Sequence, residues 1–409
     1  MKVIVIGGGP AGMMAAIRAA ENSAEVILFE KNNRLGKKLS ITGKGRCNLT
    51  NIADVPEVVK NIPGNGKFLY SALKNFTTAD TINFFESLGL KTKIERGGRV
   101  FPESDSAAEV IEVLTKKLAL LKVDVQLNSK VTEIISDGKK ILGVDVGKKF
   151  FYSDRIILAT GGSSYPATGS TGDGFKFAKK LGHTVTKIFP ALVPLEVEED
   201  FTKTLQGLSL RNVRVTLNAD NKKIREIFGE MLFTHFGISG PIILTLSGEV
   251  AKLLDEKNFV EILINLKPAL TAEQLDARIL RDFEKFKRKS IKNSLVELLP
   301  QKLIPIILDL SYIDGEKKVD DVSKIERRRL VEVLQNLPLT VTKTRPIDEA
   351  IVTAGGVSVK EIDPKTMQSK ILQGFYIIGE VADVDGFTGG FNLQAAWAMG
   401  NAAGKFCVE

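Results

Sequence analysis

The sequence predicts an α/β fold: a dinucleotide-binding Rossmann domain, split along the chain, with an inserted β subdomain and an inserted helical subdomain. Three observations predict it. The chain opens with MKVIVIGGGPAGMMAAIRAA…EVILFE, an apolar run leading into glycines and then a helical pattern. The texture changes near residue 190 and changes back near 350. The last sixty residues return to the style of the opening, with a strand-like GFYIIGE, a glycine-rich loop and a helix.

Val3 to Ile6 reads as a buried strand. It runs into Gly7, Gly9 and Gly12, which fit G-x-G-x-x-G with Pro10 and Ala11 between the last two. Gly7 permits the tight turn, Gly9 the approach of a pyrophosphate, and Gly12 the packing of helix on strand. Free N–H groups at the helix start favour phosphate charge by about 0.3–2 kcal/mol. A second apolar run, Val26 to Phe29, ends at Glu30, with Lys31 next. Glu30 can accept hydrogen bonds from a ribose diol, and its charge repels the 2′-phosphate of NADP, so FAD or NAD is favoured.

The stretch 31–66 is rich in Gly, Lys and Asn and lacks periodicity. That is too long for an idle loop, so a functional loop is expected. Helical patterns follow at 67–88 and 105–121. Short strand-like runs come at 123–127, 130–135, 141–147 and 150–153, with Asp137-Gly138 turning the middle pair. The strand Arg155 to Ala159 ends in Thr160-Gly161-Gly162. This helix, meander and return strand looks like the crossover of two-dinucleotide-fold flavoproteins.

Strand-like runs at 192–197, 211–218, 222–228 and 259–266 read as a mostly β module, and 271–336 as mostly helical. Strands return at 339–343 and 347–353. The expected domains are 1–190 with 350–409, and an insert 191–349 that is mostly β at 191–267 and 338–349 and mostly helical at 268–337.

The chain has 409 residues, which predicts two or three domains, and is 44% hydrophobic, enough for real cores. The net charge of +8 comes from scattered lysines without interleaved aromatics. The densest cluster, Arg327-Arg328-Arg329, sits beside Glu326 and Glu332 and reads as a solvated helix face. A small-molecule substrate is therefore expected rather than nucleic acid. Cys47 and Cys407 cannot make a disulfide framework, which fits a cytoplasmic location. No run reaches the ~20 apolar residues of a membrane helix. With only His183 and His235, and no HExxH, no metal site is expected.

Two further strings carry chemistry. In GEVADVDGFTGGFNLQAAWAMG a strand ends at Gly379-Glu380, and a helix starts near Asn392-Leu393. Glu380 or Asp385 can bind a ribityl chain, and helix-start N–H groups can stabilise charge on a reduced flavin. In LGKKLSITGKGRCNLTN, at 35–51, glycines, hydroxyls and cations suit a loop over a diphosphate. Lys38 and Arg46 can neutralise phosphate or act at the substrate. Cys47 reads as a small buried filler or a modulator of the flavin.

These strings, with ATGG at 159–162, GSTGDGF at 169–175 and GEMLFTHFGISGP at 229–241, resemble one bacterial flavoprotein family. It includes BaiN-like bile-acid reductases and aminoacetone oxidases. The resemblance covers essentially the whole chain. It implies a glutathione-reductase-type FAD domain, split in sequence, with β and helical subdomains inserted. It also implies FAD contacts at the opening glycines, Glu30, the Lys38–Asn48 loop with Thr42 and Gly43, Val131, Thr160-Gly161, and Gly379 to Leu393 with Gly390 and Asn392. Where many relatives have a richer glycine run, this chain has Ser40-Ile41-Thr42-Gly43-Lys44-Gly45.

No second G-x-G-x-x-G follows a strand, so NADH or NADPH is expected only as a transient donor at an open flavin face. His235, Tyr165 and Arg46 are the candidate catalytic groups, histidine being the side-chain type suited to acid–base work near neutral pH. The expected activity is an FAD-dependent oxidoreductase moving hydride between flavin N5 and a small or medium organic substrate. An oxygen-dependent amine oxidase and an RNA-modifying or RNA-binding flavoprotein are the alternatives.

Overall fold

The computed structural model describes residues 1–409. The chain divides into two units, Met1–Ala191 with Ile347–Glu409, and Leu192–Pro346.

The first unit is built on a five-stranded parallel sheet. In spatial order its strands are Phe375–Ile377, Arg155–Leu158, Lys2–Ile6, Glu25–Phe29 and Asp124–Gln126. The first strand of the chain lies in the middle, with its successor on one side and a late strand on the other. That is a switch point, where a parallel sheet opens a crevice at its carboxyl ends. The central strands are apolar on both faces because both faces are covered: Val3, Val5, Ile156, Ile157 and Ile377 are fully buried.

Helices Pro10–Glu21 and Phe391–Phe406 run side by side in the same direction. Two glycines allow this. A Cβ at Gly400 would lie 2.5 Å from the Ala11 carbonyl oxygen, and one at Gly404 would lie 2.4 Å from that of Ala15. The late helix is also tied to the segment after Glu30. The buried Trp397 donates to Leu49 O at 3.0 Å, and Gln394 Oε1 accepts from Thr50 at 2.6 Å and Thr81 at 2.8 Å. The meander Val131–Ser136, Ile141–Val146, Lys149–Tyr152 forms its own sheet, and Asp137 Oδ1 caps the expected turn with two backbone bonds of 2.9 Å.

Several elements differ from expectation. The stretch 31–66 holds a 3-10 turn at Leu39–Gly45 and a helix at Val55–Lys60. The helical pattern 67–88 is broken at Phe76-Thr77, where Thr77 and Asp80 form a capping box that starts a new helix. A hairpin, Thr92–Glu95 with Arg99–Pro102, was not expected and pairs with Thr50–Asn51. The run 192–197 is a strand only at Leu195–Val197, in the second unit; the strand before it, Phe189–Ala191, pairs with Val352–Ala354 in the first.

The second unit holds a closed six-stranded barrel of Leu195–Val197, Gly237–Ser239, Lys222–Thr234, Ser209–Ala219, Val260–Asn265 and Leu337–Thr344. Val215, Leu217, Phe233, Ile262, Ile264 and Leu339 are fully buried there. A helix, Pro241–Asp255, interrupts the expected β stretch; Ile242, Leu246 and Val250, at helical spacing, are its buried face. The later helices Ala272–Lys285 and Lys324–Gln335 each begin with a capping box, Thr271/Gln274 and Ser323/Glu326. No helix of either unit is long and apolar enough to cross a membrane.

Candidate dinucleotide site

The three glycines do three different jobs. Gly7 has φ 108°, and a Cβ there would sit 2.5 Å from Ala159 O on the neighbouring strand. A Cβ on Gly12 would sit 1.9 Å from Gly7 O, so the helix reaches the strand only without one. Gly9 is different. Its φ of −81° suits any residue, and a Cβ there would meet no protein atom within 4 Å. The space over Gly9 is a cradle that a side chain would fill. The helix begins there with no side-chain cap and Pro10 at its first position, so Ala11 and Gly12 keep N–H groups without intrahelical partners. Cradle and donors fit a pyrophosphate.

Glu30 ends the second strand and is 8% exposed. It accepts from Gly8 N at 2.8 Å, Asn32 N at 2.8 Å and Asn32 Nδ2 at 2.7 Å. Its own carbonyl accepts from Ser129 N at 2.9 Å, two residues before the buried Val131. Asn32, not singled out from sequence, thus shapes the acid. Lys31 donates to Thr171 at 2.6 Å and pairs with Asp173 at 2.8 Å. Burial is the strongest influence on Asp173 and opposes its ionisation, but Lys31, Thr171 and Lys130 together outweigh it and hold the carboxyl below its ordinary range.

In the loop after Glu30, Gly43 and Lys44 take φ of 57° and 60°, which kinks the 3-10 turn, and Thr42 Oγ1 bonds Leu39 O at 2.7 Å. With its amide turned so that oxygen and nitrogen both find partners, Asn48 donates to Thr50 O at 3.0 Å and accepts from Gly390 N at 2.9 Å, joining this loop to the start of the late helix. Cys47 is fully buried, and burial pushes its thiol up to about 12, which leaves it no thiolate for flavin chemistry. Cys407 is likewise buried and pushed up to about 12. Native protein should therefore react with no thiol reagent at neutral pH, and both thiols should appear after denaturation in a simple thiol count.

Two cations of this loop are paired with carboxylates. Lys38 spends all three of its protons on Ser164 Oγ (2.7 Å) and the two Glu380 oxygens (2.9 and 3.2 Å), so none is left for a phosphate. Arg46 pairs with Glu95 and, at 2.6 Å, with Asp105, and its guanidinium lies 4.2 Å from the Phe101 ring centre. The unexpected hairpin supplies Glu95 and Phe101.

At the far end of the site, Gly379 has φ 72° and comes close to Ala11. Asp385 is partly buried in the loop that follows, and Asn392 clamps that loop by bonding both Gly386 N and Gly386 O at 2.7 Å. A Cβ on Gly390 would lie 2.4 Å from Thr50 O. The late helix starts there without a side-chain cap, leaving the N–H groups of Phe391, Asn392 and Leu393 for a ligand. On the neighbouring strand end, next to Gly161 with φ 73°, Thr160 Oγ1 is buried with no protein partner.

Of the catalytic candidates, Tyr165 heads the turn Pro166–Thr168 in a left-handed conformation, φ 52°, and its carbonyl accepts from Thr168 Oγ1 at 2.7 Å. His235 lies in the second unit, exposed at the turn between two barrel strands, edge-on to Phe236 at 4.9 Å.

A parallel sheet with a phosphate cradle at one strand end and an uncapped helix start at another defines an FAD-dependent oxidoreductase of the Rossmann type. The chain belongs to the HI0933-like protein Rossmann domain family, whose model matches residues 1–406. It is 34% identical to a 3-dehydro-bile acid delta(4,6)-reductase of Clostridium scindens over 100% of this chain and 99% of the relative. It is 31% identical to a ribosomal RNA dihydrouridine synthase of Haemophilus influenzae, over 98% and 96% of the two chains. Among solved structures, the Rhodococcus jostii 3-ketosteroid-delta4-(5alpha)-dehydrogenase shares the fold, with a TM-score of 0.54 and 14% identity over 100% of this chain and 97% of that one.

Proposed function

We propose that the enzyme reduces a carbon–carbon double bond conjugated to a carbonyl group, with NAD(P)H as the external donor. One observation carries this reading. The two relatives above span the whole chain, and both names describe the saturation of such a bond, in a 3-oxo steroid acid or in a uracil ring. The higher identity to the steroid-acid enzyme favours a small or medium organic substrate.

Gly9, Ala11 and Gly12 would hold the FAD pyrophosphate and Glu30 the ribose. The 38–48 loop, Val131, Thr160 and Gly161 would line the cofactor, and Glu380 with the Gly390–Leu393 helix start would meet its flavin end. When bound, FAD supplies a two-electron carrier that delivers hydride from N5. The chain must bring one proton to the carbon beside the carbonyl. Tyr165, fixed on the crevice loop, is the donor proposed for it, with His235 the alternative.

Anaerobic titration of the visible flavin band tests the reading. NADH or NADPH should bleach it within seconds, and a 3-oxo-Δ4 steroid acid should restore it. Bleaching by an amine such as aminoacetone, with none by either nicotinamide, would replace the reductase by an oxidase. The RNA reading rests on the dihydrouridine synthase relatives and the +8 charge. It requires that a uridine-containing RNA bind with strong salt dependence and reoxidise the flavin where the steroid does not.

A further inference from the structure

We infer that Lys38 is a positioning residue, an ionic latch that fixes Glu380 with a single acceptor direction open to the cofactor. The inference rests on the proposal that Glu380 meets FAD. Four groups from distant parts of the chain converge here. Lys38 comes from the loop after Glu30, Ser164 from the loop after the return strand, Thr353 from a late strand, and Glu380 from the last strand end. The two charges are 22% and 20% exposed, so neither is well hydrated.

A carboxylate offers about four acceptor directions, two on each oxygen. Oε1 of Glu380 accepts from Thr353 N at 2.8 Å, Ser164 Oγ at 3.1 Å and Lys38 Nζ at 3.2 Å, which fills it. Oε2 accepts only from Lys38, at 2.9 Å. One direction on Oε2 remains, and the network decides which one. A cofactor hydroxyl is the neutral donor such a position fits, since Glu380 already has its cation. Gly162 packs close on the Oε1 side: a Cβ there would lie 3.0 Å from Oε1 and 2.4 Å from Thr353 Oγ1.

Burial is the strongest influence on Glu380 and opposes its charge. The Lys38 charge, with the bonds from Lys38, Thr353 and Ser164, outweighs it and holds the carboxyl below its ordinary 4.5. The sign follows. A carboxylate held low keeps its charge, and what depends on that charge, until pH falls through the lowered value. Without Lys38, burial prevails and the same loss occurs at higher pH.

The test is FAD affinity of the apoprotein, read by quenching of FAD fluorescence between about pH 4 and 8, with far-UV circular dichroism to report folding. Lys38→Met should weaken binding at pH 7 by roughly tenfold or more, and its affinity should fall at a higher pH than the wild type's. Glu380→Gln should bind weakly with no such pH step. The double variant should be no weaker than Glu380→Gln alone, because the two residues act as one unit. Should Lys38→Met fail to fold, Ser164→Ala carries the same test: a smaller loss with a pH step shifted the same way. A Lys38→Met protein that binds like wild type, or is weaker by one factor at every pH, overturns the latch. Wild-type binding by Glu380→Gln instead overturns the assignment of Glu380 to FAD, so the two failures are distinguishable.

Discussion

Gly9→Ala should yield an apoprotein as stable as wild type that no longer retains FAD, whereas Gly12→Ala should weaken the fold itself. The two glycines belong to one motif and differ in what lies around them. At Gly12 a Cβ would sit 1.9 Å from Gly7 O and 3.2 Å from the Ala159 side chain. The first of these is backbone in the tightest turn of the site, so it cannot step aside. Overpacking of this kind costs about 1–3 kcal/mol, and more where backbone must move. The roughly 1 kcal/mol that alanine gains over glycine inside a helix does not offset that. At Gly9 the backbone already lies where alanine is at ease, and no atom lies within 4 Å of a Cβ. The apoprotein should be unchanged or slightly more stable, by up to about 1 kcal/mol. The new methyl group would instead stand where the pyrophosphate approaches the backbone and block the Ala11 and Gly12 N–H groups. Losing two or three charge-assisted bonds predicts a drop in affinity of at least about a hundredfold. Thermal midpoints of the apoproteins and the flavin-to-protein ratio after purification would separate the two effects. Stoichiometric FAD in Gly9→Ala would mean that the phosphates lie elsewhere.

Much of this arrangement was legible because it is local. Lys2–Ile6 and Glu25–Phe29 are short apolar runs bounded by glycines or an acid, and both became central strands. The hairpin Thr92–Glu95 with Arg99–Pro102 was not legible, since its first strand, TKIE, carries two charges and stays partly exposed. Without it the pair of Arg46 with Glu95, which lies on that hairpin, could not be foreseen. The partner of Lys38 was hidden for the same physical reason at longer range, because it lies 342 residues away. A glycine spacing or an alternation is a property of adjacent residues. Which carboxylate a lysine meets is a property of the assembled crevice. Cys47 shows the converse: a buried filler and a redox group look identical in sequence, and only its burial decides between them.

Glu30→Ala should lose both FAD affinity and stability, and the balance between the losses measures how the carboxylate divides its work. Its Oε2 accepts from the buried Gly8 N–H at 2.8 Å and its Oε1 from Asn32 N at 2.8 Å. Alanine leaves both donors unpaired, and a buried unpaired N–H costs about 1–3 kcal/mol. Because Gly8 stands between Gly7 and Gly9, loosening it also loosens the phosphate cradle. The bonds to the ribose diol would go as well, worth about 1.5–3 kcal/mol, or roughly ten- to a hundredfold in FAD affinity. Glu30→Gln separates the contributions. Its one carbonyl oxygen can still satisfy one of the two backbone donors, so stability should be partly restored. The charge that strengthens the ribose bonds is gone, so affinity should stay well below wild type. Calorimetric titration of FAD into the three apoproteins, beside their thermal midpoints, gives both quantities. If Glu30→Ala is less stable yet binds FAD at full strength, the carboxylate only fastens the glycine loop. The ribose must then be held by the other groups at that strand end, with Asn32 first among them through its bond to Thr168 O at 3.0 Å.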